Sequence, residues 1–129
     1  EATMEAMRVH ADVAEVQVTG CRALGMLARR CGSSERLLLA MLSAGVHVVI
    51  IDAMQNHWRD AEVQFSGCKA LKWMALRSGP AQCSELMQAG ALRQMLLVVE
   101  VHGLQFPGAA EEPLIGLQRL LRMAVEDGG

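Results

Sequence analysis

One face of the segment 61–77 is apolar, and the rest of its surface is polar or charged. The apolar positions are spaced three and four residues apart, at Val63, Gly67, Ala70, Leu71 and Met74. Because an α-helix completes a turn in about 3.6 residues, this spacing predicts an amphipathic helix that packs one face against a core. Asp60 is the predicted N-cap, and Glu62 in the first turn complements the helix dipole.

Two shorter helices are predicted before this segment. The first covers about residues 34–43 and ends near Gly45, because glycine is favoured just after the last turn of a helix. The second covers about residues 46–55, and His57 falls in the turn that follows. Gly79 and the proline after it end the long helix and begin the next group of helices.

The same eleven-residue pattern occurs twice in the chain. AEVQVTGCRAL at 14–24 recurs as AEVQFSGCKAL at 61–71, 47 positions later. Residues 4–33 and 51–80 share fourteen identical pairs at this offset. The identical pairs include His10/His57, Gln17/Gln64, Gly20/Gly67 and Cys21/Cys68.

A third and weaker copy follows, in which GLQRLLRMA at 116–124 matches GCKALKWMA at 67–75. A repeat period in the forties is typical of a helical solenoid. The predicted units each contain three helices, except that the first unit lacks its first helix. Their approximate bounds are 1–32, 33–79 and 80–129. We expect a single repeat segment from a longer protein, since an isolated array normally ends in polar capping repeats.

A glycine recurs inside the long helix of every unit, at Gly20, Gly67 and Gly116. Its recurrence predicts a close approach of two helices that excludes a methyl group. The alternative is inheritance from a common ancestral repeat. The two alternatives predict opposite effects of Gly67→Ala on the free energy of unfolding. If the glycine is only inherited, the substitution should raise it by about 1 kcal/mol, because Ala has the higher helix propensity. If the helices are already in contact there, the added methyl group should lower it by about 1–3 kcal/mol.

The composition favours an all-α protein. Hydrophobic residues make up 52% of the 129 residues, but the chain has two Trp, two Phe and no Tyr. Nine Met suit irregular gaps between helices. No apolar run reaches the roughly 18–20 residues that span a bilayer, so no membrane insertion is expected. The net charge of −2 by itself favours neither nucleic acid nor membrane as a partner.

The four cysteines form no CxxC pair and are too few for a disulfide scaffold. We therefore expect reduced thiols in an intracellular protein. Cys21 and Cys68 occupy equivalent positions that face the core, whereas Cys31 and Cys83 are expected to be less constrained.

The sequence shows no recognisable catalytic or metal-binding pattern. No phosphate-binding glycine loop, HExxH or GxSxG motif occurs. His10, His57 and His102 fall at matching turn positions, but packed helices lie about 10 Å apart, which is too far for these side chains to share a metal. We expect no enzyme activity, no metal and no cofactor.

The segment 44–75, AGVHVVIIDAMQNHWRDAEVQFSGCKALKWMA, resembles an armadillo repeat. Its AG turn, I-x-x-AM-x-x-H helix, D-x-EVQ start and GC-x-AL-x-x-x-A helix are similar to the subtype found in the helical arrays of leucine-rich-repeat kinases. The resemblance covers nearly the whole chain. It implies an all-α, right-handed armadillo-type solenoid of stacked three-helix repeats. The third helix of each unit would line a concave groove that binds extended peptides or partner surfaces.

Armadillo import receptors carry a Trp and, four residues later, an Asn in this groove. The corresponding positions hold other pairs, namely Arg22 with Met26, Lys69 with Trp73, and Gln118 with Arg122. Recognition of basic localisation signals is therefore not expected. The predicted groove residues are Arg22, Met26, Lys69, Lys72, Trp73, Gln118 and Arg122.

Eight of the twelve Lys and Arg residues lie on the predicted third helices, and a basic groove would attract acidic or phosphorylated segments. The alternative is an ordinary solvated surface, because Arg29, Arg30 and Arg77 lie in last turns and complement helix dipoles. Trp73 is either a binding platform in the groove or partly buried packing.

The leading hypothesis is a non-enzymatic module that binds a partner protein or an acidic peptide in this groove. The alternative is a structural or regulatory scaffold segment of a larger, kinase-linked multidomain protein. Nucleic acid is not an expected partner, because the chain is acidic and lacks interleaved aromatic residues. Exposed end helices would allow self-association. The insertion at residues 106–113 is either a binding loop or a flexible spacer.

Overall fold

The computed structural model describes residues 2–31, 34–103 and 111–128, and within these ranges the regular elements are all helices. The helices are α1 (Ala2–Val9), α2 (Ala14–Arg30), α3 (Glu35–Ala44), α4 (Val46–Asn56), α5 (Ala61–Arg77), α6 (Pro80–Gln88), α7 (Ala91–His102) and α8 (Glu111–Gly128). The all-α prediction is confirmed. The first part of the insertion, residues 106–110, lies outside the described residues, and Glu111 begins α8.

The long helices α2, α5 and α8 are the third helices of the predicted units, and they pack side by side in that order. Each also packs against the helix that precedes it in its own unit: α1 against α2, α4 against α5, and α7 against α8. The helices therefore contact one another in the order that stacked repeats require. The right-handed twist and the bounds of the units stay predictions.

Helix ends are formed by the residues that the sequence marks for them. The Asp60 side chain accepts a hydrogen bond from the Val63 backbone N–H at 3.1 Å, which confirms the predicted N-cap of α5. Gly45 and Gly90 adopt left-handed backbone conformations, with φ of 83° and 103°, between the first and second helices of their units. Only glycine adopts this region without a steric penalty, so the AG turn recurs as a structural requirement.

The recurrent glycines of α2, α5 and α8 lie against methionine side chains. A Cβ atom added to Gly67 would lie 2.5 Å from Cγ of Met54, and one added to Gly116 would lie 2.7 Å from Sδ of Met95. Gly20 meets Met7 in the same way. The predicted close approach is therefore present in each unit.

A glutamine joins the second and third helices in the first two units. The Gln64 amide N–H group donates hydrogen bonds of 2.8 Å to the backbone carbonyls of Met54 and His57. The Gln17 amide donates equivalent bonds to Met7 and His10. These carbonyls lie at helix ends, where intrahelical partners are missing, so the glutamine satisfies them.

The repeated histidines connect one unit to the next. Nε2 of His57 lies 2.8 Å from the Ala11 carbonyl oxygen, and Nε2 of His102 lies 3.2 Å from the Trp58 carbonyl oxygen. Both carbonyls follow the turn histidine of the preceding unit by one position. The repetition of histidine thus has a structural explanation.

All four cysteines are buried thiols. Burial raises the pKa of Cys21 to about 12, and burial together with the charge of Glu112 raises the pKa of Cys68. The expectation that Cys31 and Cys83 are less constrained is wrong, because both are also packed inside the helical core.

No single helix in the described ranges is long and apolar enough to cross a membrane. Helices α3 and α4 reach that length and composition only together, and they are bent by 52° at their junction.

Candidate protein-binding groove

A groove of about 440 Å³ lies between α2 and α5. Small residues at its base let the two helices approach closely: a Cβ atom added to Gly25 would lie 3.1 Å from Cα of Ala70. Because these residues are small, neighbouring larger side chains stand above them as walls. The groove is therefore a consequence of where the sequence places Gly and Ala along two packed helices.

The walls of the groove are apolar. Met26 is 51% exposed, and Phe65 and Trp73 are half-buried. Exposed apolar side chains beside a concavity are a common feature of sites that receive a partner's side chain. Met26 and Trp73 are predicted site residues that the structure brings together here.

Three cations surround the Trp73 ring. The side-chain charges of Arg29, Lys72 and Arg77 lie 5.3, 4.4 and 5.4 Å from the ring centroid. The electron-rich face of the indole attracts cations at these distances. Trp73 is thus both partly buried packing and a groove wall, and it holds positive charge at one end of the groove.

Lys72 does not present a free charge to the groove. Its side chain is buried, and its ammonium group forms an ion pair with Glu112 of α8. Lys72 was predicted as a groove residue, and most of its charge is neutralised within the protein by this pair. Glu112 itself also lines the groove.

Arg22, Arg29 and Lys69 form the exposed cationic rim of the groove. Arg22 makes a 4.0 Å contact with Glu62, and both side chains are largely exposed, so this pair is weak. Among the described residues, neither Arg29 nor Lys69 forms an ion pair with an acidic side chain. These two cations are therefore available to an acidic partner.

Two further arginines are used for packing between units. The Arg77 guanidinium donates to the Arg29 backbone carbonyl at 2.9 Å. The Arg119 guanidinium donates to the Ser78 carbonyl at 2.9 Å and to the Ala75 carbonyl at 3.3 Å. Each arginine thus satisfies carbonyls at the C-terminal end of the preceding long helix. Arg77 was predicted only to complement the dipole of its own helix, α5. The structure corrects this, because Arg77 also forms a hydrogen bond with the C-terminal end of α2.

Gln118 and Arg122 are exposed on α8 and do not line the groove between α2 and α5. The structure therefore brings together four of the predicted site residues in the groove lining and places Lys72 next to them. Phe65, Gly25 and Glu112 were not predicted as groove residues. Phe65 replaces the Val18 of the first unit, a difference that carried no functional signal in a single sequence.

The ordered packing of α2, α5 and α8, the recurrent glycine contacts and the histidine links between units together define a helical repeat protein. The chain matches the family model described as LRRK2 ARM repeat over residues 1–128. It therefore belongs to this armadillo-repeat family, which confirms the resemblance seen in the sequence. No curated protein and no solved structure matches the chain. Armadillo-repeat domains generally mediate protein–protein interaction or scaffolding.

Proposed function

We propose that the protein is a non-enzymatic binding module whose groove between α2 and α5 receives an acidic or phosphorylated segment of a partner protein. The observation that carries this proposal is the combination of Arg29 and Lys69, two exposed cations without acidic partners in the described residues, beside an apolar concavity. The family supports a binding role in general terms, and the groove chemistry supports the class of ligand.

The groove suits a ligand with two chemical parts. The apolar walls formed by Met26, Phe65 and Trp73 suit one large apolar side chain of the partner. The groove volume of about 440 Å³ is within the range of sites that bind small molecules or single anchoring side chains. Burial of such an anchor would supply most of the affinity, because hot spots are usually large side chains in desolvated pockets.

The cationic rim would select the flanking residues of that segment. Arg29 can form paired hydrogen bonds with a carboxylate or phosphate, and Lys69 adds a second positive charge. Glu112 does not cancel this preference, because it is already paired with Lys72. An acidic residue or a phosphate on either side of the anchor would therefore be favoured.

The test is a peptide-display screen with the wild-type protein and with an Arg29→Glu/Lys69→Glu variant. Both residues are exposed, so the variant is expected to fold with an unchanged circular dichroism spectrum. The matched control is Arg36→Glu/Arg93→Glu, which makes the same charge change at exposed positions on α3 and α7, outside the groove lining.

We expect enriched peptides with acidic residues next to one large apolar residue. Their affinity should fall by at least about tenfold in the groove variant, which corresponds to about 1.4 kcal/mol, and should be unchanged in the control. Phosphorylated and unphosphorylated forms of the best peptide would show which anion the rim prefers. If no peptides are enriched, or if their binding is indifferent to the groove substitutions, the proposal is wrong.

A further inference from the structure

The floor of the groove between α2 and α5 is specific to this junction of two units. Gly25 and Ala70 form it, and their counterparts in the following unit are Lys72 and Arg119. Lys72 is buried and paired with Glu112, and Arg119 donates hydrogen bonds to carbonyls at the C-terminal end of α5. Long side chains therefore fill, between α5 and α8, the place that stays open between α2 and α5. A bound segment is thus confined to one junction and does not continue across α5 to the next.

The groove extends along the two helices, which run in the same direction. Arg22 lies near Glu62 at the start of α5, and Arg77 at the end of α5 donates to the carbonyl of Arg29 at the end of α2. The α2 wall reaches from Arg22 to Arg29, and the α5 wall covers residues 65–73. At 1.5 Å per residue, both walls are about 10–12 Å long. A ligand that fills the groove therefore lies parallel to α2 and α5.

The two arginines on the α2 wall match the spacing of side chains on a helical ligand. Arg22 and Arg29 are seven residues apart, so they lie on one face of α2 about 10.5 Å apart along its axis. Acidic residues seven positions apart on a partner helix have the same spacing. In an extended segment, side chains on one side recur about every 7 Å, so acids there are about 7 or 14 Å apart. The Arg29 side chain is 5.3 Å from the Trp73 ring centroid, and this contact limits how far it can adjust to a different spacing.

The floor of the groove lies midway between these two arginines. Gly25 is three residues after Arg22 and four residues before Arg29. On a partner helix, an apolar side chain three or four positions after the first acid lies on the same face as both acids. That face places the apolar side chain on the floor, between Met26 of α2 and Lys69 of α5, and the acids at the two arginines.

We propose that the partner segment bound in this groove is an amphipathic α-helix that lies along α2 and α5. It carries two acidic residues seven positions apart and one large apolar residue between them. This inference rests on the proposed function and specifies the conformation and the sequence pattern of the ligand. Anchoring of a helix in a groove through side chains at these spacings is a common mode of peptide recognition. One acid pairs with Arg29, and the other replaces Glu62 in its weak, exposed contact with Arg22.

The test compares three synthetic peptides of about 18 residues, because isolated helices shorter than about 12–15 residues are marginal in water. The helical peptide has glutamate at i and i+7 and leucine at i+4, in a background of alanine and glutamine. Its isomer has the same composition, with the glutamates at i and i+4 and the leucine at i+2, which is the pattern of an extended ligand. The third peptide is the helical peptide with one central alanine, on the face opposite the leucine, replaced by proline.

Fluorescence anisotropy measures the dissociation constant of each peptide. We expect the helical peptide to bind at least about tenfold more tightly than the isomer and the proline peptide, and to gain helical circular dichroism on binding. Arg22→Glu and Arg29→Glu should each weaken its binding by at least about fivefold, whereas the control Arg36→Glu/Arg93→Glu should bind it like the wild type. Reversal of one peptide glutamate to lysine should restore binding to only one of the two variants, because each glutamate meets one arginine.

An isomer that binds as tightly as the helical peptide, or a proline peptide with unchanged affinity, would overturn the helical ligand. If binding of that isomer is lost in Arg29→Glu/Lys69→Glu, the proposed function stands with an extended ligand instead. If none of the three peptides binds at millimolar concentration, the helical ligand is overturned as well. The peptide-display screen then decides the proposed function separately.

Discussion

Gly67 of α5 lies against the Met54 side chain of α4. An added Cβ atom would lie 2.5 Å from both Cγ and Sδ of Met54, well inside normal van der Waals contact. We expect Gly67→Ala to lower the free energy of unfolding by about 1–3 kcal/mol, because overpacking outweighs the gain in helix propensity. Urea denaturation measures this change.

The control for this prediction is the double variant Met54→Ala/Gly67→Ala. Removing the Met54 side chain makes room for the new methyl group, so the double variant should lose less stability than the sum of the two single variants. A stabilised Gly67→Ala protein would instead show that the repeated glycine is inherited without a packing role.

His47 in the first turn of α4 is a buried side chain whose Nδ1 atom has no hydrogen-bond partner in the described residues. Burial lowers the pKa of His47 below its ordinary value of 6.5, and the nearby charge of Glu85 opposes this only in part. The unfolded chain therefore binds a proton more readily than the folded protein. Stability is retained above pH 6.5 and is lost as the pH falls below it.

We expect the free energy of unfolding to decrease as the pH falls through and below 6.5, and we expect His47→Gln to reduce this dependence. Chemical denaturation at a series of pH values measures the free energy of unfolding of each protein. The wild-type protein, measured at the same pH values, is the reference for this slope. An unchanged slope in His47→Gln would mean that other groups cause the effect.

At the scale of the helices, the sequence predicted helix bounds correctly where they depend on residues close together in the chain. The bounds of α5 agree with the predicted 61–77, because an N-cap, an amphipathic period and a Gly-Pro stop all act within a few residues. Contacts between helices were harder to predict. The identical pair Gln17/Gln64 was visible in the repeat, but nothing in the sequence showed that the amide reaches back to the preceding helix end.

The bonds from Gln64 give a prediction about how α4 is joined to α5. Gln64→Glu removes the donor and points a carboxylate at the carbonyls of Met54 and His57. We expect a loss of about 1–3 kcal/mol in the free energy of unfolding, because two buried carbonyls lose their partner. The exposed Gln55 supplies the control: Gln55→Glu should change stability by no more than about 0.5 kcal/mol. Similar losses in both variants would show that added charge, and not the lost bonds, is responsible.

At the scale of the whole molecule, the order of the long helices was predictable from the repeat, whereas the use of individual charges was not. Lys69 and Lys72 look equivalent in the sequence, since both lie on α5 among apolar residues. One is exposed on the groove rim, and the other is buried against Glu112. The difference depends on how α8 meets α5, and the changed spacing in the third unit hides that register from a single sequence.

The contact between Lys72 and Glu112 joins the second unit to the third, and its counterpart between Arg22 and Glu62 joins the first to the second. The Lys72 side chain is 9% exposed, whereas both members of the Arg22 pair are more than 60% exposed and 4.0 Å apart. A double-mutant cycle with Lys72→Met and Glu112→Gln should therefore give a coupling free energy of about 1–3 kcal/mol. The same cycle with Arg22→Met and Glu62→Gln should give less than about 1 kcal/mol, because water screens an exposed pair. Equal coupling at the two junctions would contradict the assignment of Lys72 to the interior, and would return it to the set of cations that a partner could bind.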